Sequence, residues 1–177
     1  MLHQNSPSRA LELLRSRELD LAVVDEWEAT SEPDVARTHL ARDPLLLTLP
    51  GSHRLGAQGA PATLADLAAA VHGRTWLCAP RDQPSRAVTD QLLRRSGAEP
   101  SAVWELEGLT TIGQMVAHGV GLSLLPALAL REVVEGSVII RPLRAGQHRK
   151  LLAKTRRASR HHPLIAACLD TIKNVQW

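Results

Sequence analysis

Apolar runs alternate with glycine and proline breaks along almost the whole chain, and the apolar spacing switches repeatedly between helical and extended periods. Residues 8–17 predict a helix with Ser6 or Ser8 near its cap and Leu11 and Leu14 inward. It delivers residues 19–24 (LDLAVV) as a buried strand of the parallel type. A polar loop is expected next. Residues 45–49 read as a strand stopped by Pro50-Gly51, and the Gly-, Ala- and Pro-rich stretch 56–61 reads as a crossing into another lobe. Residues 64–71 predict a short helix and 75–79 a strand. Residues 85–96 form a second helix ended by Gly97 and Pro100, and 103–107 alternate like an exposed strand.

Residues 106–130 (LEGLTTIGQMVAHGVGLSLLPALAL) are the most informative stretch. Thr110 and Thr111 can supply an N-cap, and Ile112, Met115 and Val116 fall at helical spacing. His118-Gly119 close the helix before residues 120–125 run as a strand to the Leu125-Pro126 stop. A helix N-terminus opening beside a strand end is a natural anion site, although a plain packing unit reads the same way. Residues 138–141 then lead back and 151–155 form a strand. Residues 163–175 close the chain as an amphipathic helix with Leu164, Ala167, Cys168 and Ile172 inward. There is no internal repeat or low-complexity tract.

At 177 residues, with 44% hydrophobic and 22% charged, the chain is long enough for one domain or two small lobes with a real core, which excludes disordered and collagen-like classes. No apolar run reaches membrane-spanning length, since Pro126 interrupts residues 120–130, and the start MLHQNSPSR lacks the apolar core of a signal peptide. The expected compartment is the cytoplasm, with no membrane partner. Cys78 and Cys168 sit in apolar segments without metal-ligand spacing, so both are expected to be buried reduced thiols, with no disulfide, metal or cofactor.

Charge is unevenly placed. Residues 141–160 carry eight Arg or Lys and no acid, whereas 18–34 carry seven acids and no base. The basic residues alternate with Leu143, Leu151, Leu152 and Ala153 instead of lining one helix face, and no helix-turn-helix, zinc finger or RNA-binding aromatic motif is present. The basic run therefore reads as a solvated strand with turns, with the acidic patch elsewhere on the fold, and DNA contact by this chain itself is not expected. With no Phe or Tyr, stacking on a planar ligand would fall to Trp or Arg, and Trp76 reads as a core residue of its strand.

Catalysis finds little support. Gly121-Leu122-Ser123 lacks the closing glycine of a nucleophile elbow, His161-His162 has no third ligand nearby, and the glycines fit neither a phosphate loop nor a dinucleotide fingerprint.

The ordered set 19–24, 43–51 followed by Ser52-His53-Arg54-Leu55, 64–68 leading to Thr75-Trp76-Leu77, 106–130 and 138–143 resembles the C-terminal effector-binding domain of LysR-type transcriptional regulators. The resemblance covers nearly the whole chain. It implies an α/β, two-lobed fold similar to type II periplasmic binding proteins. The first lobe would comprise residues 1–60 and 139–177 and the second 61–138, and the alternation of strands and helices suggests mostly parallel sheets. It also implies a small-molecule effector, acidic in character, held in an interlobe cleft, and a homo-dimer or tetramer. Leu13 beside Leu14 gives the first helix a wide apolar face for such an assembly. A stand-alone binding protein or an enzyme on the same fold is the alternative.

Ligands in open α/β sheets sit beyond the carboxyl ends of strands, which selects four patches. These are Pro50, Gly51 and Ser52; residues 79–86, with Ala79, Arg81, Ser85 and Arg86; Thr110 and Thr111; and Leu125 with Pro126. Ser85 and Thr111 could each donate a hydroxyl hydrogen bond or serve only as helix caps. Arg81 or Arg86 could form a bidentate pair with a carboxylate or be plain surface residues. The family's winged helix-turn-helix, linker helix and first strand and helix do not precede Met1, so the first lobe is expected to be incomplete at its N-terminus. DNA would be reached only through an N-terminal domain outside this chain. A fragment, a shortened gene product and a misplaced start all fit.

Overall fold

The helix expected at residues 8–17 forms as α1 (Pro7–Arg15). Ser6 caps it by accepting from the Arg9 N–H at 3.3 Å, and Pro7 occupies the first turn, where no donor is needed. Ala10 and Leu14 of α1 pack on Ala22 and Val24 of β1 (Leu21–Glu26) and on Leu152 of β7 (His148–Arg156). Strand alternation sends Leu21 and Ala153 to the other face, where they meet Ile165 and Leu169 of α5 (Pro163–Lys173) and Leu40 of β2 (Val35–Pro50). Strand β7 lies between β1 and β2. Apart from the later part of β2 and His148, these elements belong to the first of two compact units, Met1–Arg42 with Arg149–Trp177, the second being Asp43–His148. The structure is a computed structural model and describes residues 6–27, 30–54, 58–144 and 146–175.

Several expectations for the first unit are overturned. Strand β1 is antiparallel, not parallel, and is paired on one side only among the described residues, with Leu21 opposite Thr155 and Glu26 opposite Lys150. The neighbouring strand arrives from the far end of the chain and runs the opposite way, so no crossover helix is required. As an edge strand β1 is half-buried, leaving Val23 44% exposed. The polar loop is shorter than expected, because β2 already begins at Val35. On α5 the buried positions are Ile165 and Leu169, while Leu164, Ala167 and Cys168 are exposed and Ile172 is half-buried. The helix is turned by one residue from the expected phase, so Cys168 is not a buried thiol. Leu13 and Leu14 are both buried, which leaves no surplus apolar face at Leu13.

The two charge runs meet. The antiparallel register of β1 and β7 sets the acids of residues 18–34 against the bases of 141–160. Arg149 pairs with Asp25 at 3.3 Å, Arg156 with Asp20 at 2.5 Å, and Lys154 with Glu32 at 2.6 Å. Lys154, Glu26 and Glu32 are largely buried, and Arg37 also holds Glu26. Much of the basic run is thus committed to holding the first unit together, and its acidic partner is adjacent, not elsewhere on the fold.

In the second unit the later part of β2 lies between β5 (Ser123–Pro126) and β6 (Val138–Pro142), antiparallel to both. A parallel bridge from Trp76 to Leu122 joins β5 to β3 (Thr75–Cys78), which pairs in parallel with β4 (Ala102–Glu105). Mostly parallel sheets are therefore not what forms: among the described residues parallel pairing is limited to these short contacts and an isolated bridge from Ala62 to Leu143. Helix α2 (Leu64–Val71) starts from a capping box in which Thr63 and Asp66 satisfy each other's backbone donors. Helices α3 (Pro84–Ser96) and α4 (Leu109–Ala117) follow β3 and β4, and Ile112 and Val116 of α4 pack with Leu77, Leu125, Leu130 and Val138. Trp76 is fully buried, as its strand position suggested. The two compact units divide at 42/43 and 148/149, with β6 and the end of β2 as strands of the second unit's own sheet. Of the expected crossing at 56–61, Gly56 and Ala57 lie outside the described residues.

Candidate functional site

The second unit has two ends, and strand register assigns each candidate residue to one of them. Leu45 of β2 is opposite Pro126 of β5, and Thr48 is opposite Ser123, while β3 runs parallel to β5. The carboxyl ends of β3 and β5 therefore lie at the end where β2 enters the unit. Ala79, Arg81, Ser85 and Arg86 follow β3 there, Thr110 and Thr111 follow β4, and Leu125-Pro126 close β5. Pro50 is five residues further along β2, roughly 17 Å away at strand rise. It pairs with Val138, and the Gly51 N–H donates to the Ser137 carbonyl at 2.9 Å. Pro50, Gly51 and Ser52 are thus not brought together with the other candidates.

Both helices at the carboxyl end open without a side-chain cap. Helix α3 has Gln83 at its N-cap and Pro84 in its first turn. Helix α4 has Gly108, whose φ of 82° suits glycine. Neither Thr110 nor Thr111 is the cap: both lie in the first turn of α4 and are exposed. Ser85 is not a cap either. It sits in the first turn of α3, is 8% exposed, and makes no side-chain hydrogen bond among the described residues. By contrast α1, α2 and α5 are capped by the side chains of Ser6, Thr63 and His162. The start of α4 leaves its first-turn N–H donors without a capping side chain, whereas at α3 Pro84 has no N–H and the Arg86 N–H already donates to the Gln83 carbonyl at 3.0 Å; both helices present the positive ends of their dipoles beyond the strand ends.

The two arginines behave differently. Arg86 is buried, and its guanidinium donates to Asp90 Oδ1 at 2.8 Å, to the Ala79 carbonyl at 2.9 Å and to Glu105 Oε1 at 2.9 Å. Burial works against its charge, but the bonds to Asp90 and Glu105 outweigh it and hold Arg86 above the ordinary arginine value. Arg86 is therefore internally satisfied and fixes the 79–86 loop. Arg81 is exposed and makes a single 3.4 Å contact with Glu105. Leu125 and Pro126 are buried, Leu125 in the core cluster with Leu77, Ile112 and Val116. Cys78, at the end of β3, is a buried thiol whose pKa burial pushes up. Among the described residues no group of three or more metal-binding side chains occurs, and no helix is long and apolar enough to cross a membrane.

Three residues that shape this end were not singled out in the sequence. Asp90 was readable from its i,i+4 spacing to Arg86. Glu105 and Asp43, whose Oδ1 accepts from the Leu128 N–H at 3.1 Å, join segments distant in the chain and leave no local signal.

Solved structures with this architecture are regulatory domains of the two-lobed, periplasmic-binding-protein-like class. The reduced form of the OxyR regulatory domain from Pseudomonas aeruginosa matches with a TM-score of 0.74 at 24% identity, over 97% of this chain and 80% of that one. The Synechocystis PCC6803 CcmR regulatory domain in complex with 2-PG matches with a TM-score of 0.73 at 19% identity, over 96% and 79%. The chain belongs to the LysR substrate binding domain family, which it matches over residues 1–177. A curated relative, the uncharacterized HTH-type transcriptional regulator YybE of Bacillus subtilis strain 168, is 29% identical over 129 residues, which is 72% of this chain. The chain spans 41% of that relative's length.

Proposed function

We propose that this LysR-type effector-binding domain senses a small acidic metabolite at the carboxyl-end face of its second unit, as the sensing part of a transcription regulator whose operator contact is made by a separate DNA-binding domain. The observation that carries the reading is the pair of helix starts, α3 and α4, both at the ends of parallel neighbouring strands and both without a side-chain cap. The first-turn N–H groups of α4 and two positive dipole ends favour a carboxylate over a neutral ligand. Thr110, Thr111 and Ser85 supply hydroxyls, Arg81 supplies an exposed guanidinium, and Ala79, Leu125 and Pro126 supply the apolar backing. Arg86 acts through its hold on Ala79 and Glu105, as a positioning residue.

Calorimetric titration with a panel of small carboxylic acids and their amides tests this. A binding acid should outbind its amide, and Thr111→Val should weaken that acid by roughly 1.5–3 kcal/mol, the loss of a hydrogen bond to a charged group. Arg81→Gln should weaken acids and leave amides unchanged. Equal binding of acids and amides, or an unchanged affinity in Thr111→Val, would remove the assignment.

A further inference from the structure

Pro50, expected beside the effector, instead borders a separate cavity of about 240 Å³ at the amino ends of β3 and β5. His53, Arg74, Thr75, Ser101 and Gly121 complete the part of its wall that matters here. The lining holds one guanidinium, one imidazole and two hydroxyls, and no carboxylate. Arg74 is exposed and makes neither a side-chain hydrogen bond nor an ion pair among the described residues, so its planar fork of donors is available. His53 lies close enough for the Arg74 charge to act on it: burial first, and then Arg74, hold its imidazole below the ordinary histidine value. Two groups able to carry positive charge are therefore gathered on one cavity with no acid between them.

Helices α2 and α4 also end at this face, and helix C-termini disfavour anions. Several of their last carbonyls are engaged by the turns that follow, the Arg74 N–H bonding Val71, Gly119 bonding Val116 and Val120 bonding Met115, which limits that effect. The charged side chains on the cavity are both basic. Gly121 has no room to vary, since a Cβ there would lie 2.6 Å from the Thr75 carbonyl, so the floor is bare backbone. The volume is below the ordinary range of about 300–1,000 Å³ for ligand pockets, which suits an oxyanion with few further atoms.

We propose that this cavity is a second ligand site, taking a small phosphate-class oxyanion through a bidentate contact with Arg74 and hydroxyl bonds from Ser101 and Thr75. Amide NMR of the whole chain titrated with inorganic phosphate at constant ionic strength is the test, with acetate and chloride in parallel arms. Saturable shifts clustered at Gly73, Ser101 and Gly119 with phosphate, weaker with acetate and absent with chloride, are expected. Arg74→Gln should weaken phosphate about tenfold or more, and Ser101→Ala by a smaller factor, while Thr111→Val should leave it unchanged, which separates this site from the effector face. Shifts that never saturate, that chloride reproduces, or that survive Arg74→Gln would show that Arg74 and His53 only offset the helix ends, and would overturn the proposal. A preference for acetate would overturn the phosphate class.

Discussion

Arg86 and Glu105 are joined at 2.9 Å across the carboxyl ends of β3 and β4, one from a helix first turn and the other from a strand end. The bond ties α3 to the sheet edge, while the same guanidinium clasps the Ala79 carbonyl. Replacing Arg86 with Gln removes a buried charge but leaves Asp90 and Glu105, which reach water, so the cost is lower than for a fully buried pair. A loss of about 2 kcal/mol is expected. Urea denaturation should show a lower midpoint with an unchanged slope. A midpoint equal to that of the parent protein would mean that the loop is fixed by packing alone.

The same pair gives a pH signature. The Arg86 hydrogen bond holds the Glu105 carboxyl below the ordinary glutamate value of 4.5. A depressed carboxyl contributes stability that is fully present above its unfolded pKa and is lost as pH falls through its folded pKa. Glu105→Gln should therefore be less stable than the parent at neutral pH by a margin that stays constant down to the glutamate range and shrinks in more acid solution. Urea midpoints measured across that range check it, and a margin that grows on acidification would contradict the assigned sign.

Local elements were legible in the sequence because their signals are local. Residues 64–71 form the helix that their pattern predicted, and α3 ends at Gly97, whose φ is 69°. Direction and register were not legible. Nothing within residues 19–24 says that their neighbour comes from residues 148–156 and runs antiparallel, and that choice explains both the exposed Val23 and the meeting of the two charge runs. The site divided along the same line. The loops after β3 and β4 belong together because those strands are parallel neighbours, whereas Pro50 ends a strand running the other way, and a rule about carboxyl ends carried it to the opposite face. Thr110 and Thr111 were placed at the right helix start but two or three positions inside it, since Gly108 takes the cap.

Gly121 marks the contact on which the second unit's sheet depends. A Cβ there would lie 2.6 Å from the Thr75 carbonyl and 3.0 Å from Leu77 Cγ, beside the bonds by which Leu122 and β3 exchange N–H donors. Backbone cannot give way as a side-chain tip can. Gly121→Ala is expected to cost about 1–3 kcal/mol, with amide exchange rising first at Leu77 and Leu122. Unchanged protection at both would show that the two strands can part by several tenths of an ångström without loss.

Strand β1 presents an edge with no second partner among the described residues, and Val23 is its exposed apolar position, with Asp20 outside the strand and Asp25 engaged by Arg149. An apolar, β-prone edge is a template for pairing with another chain, and a lysine on the exposed side blocks it at little cost. Val23→Lys should lower concentration-dependent light scattering while changing stability by less than about 0.5 kcal/mol, as for an ordinary surface substitution. The neighbouring Val24 faces α1 and is 7% exposed, so Val24→Lys should instead unfold the first unit by burying an unpaired charge. Scattering that is equally strong in Val23→Lys and the parent would place the self-association elsewhere on the molecule.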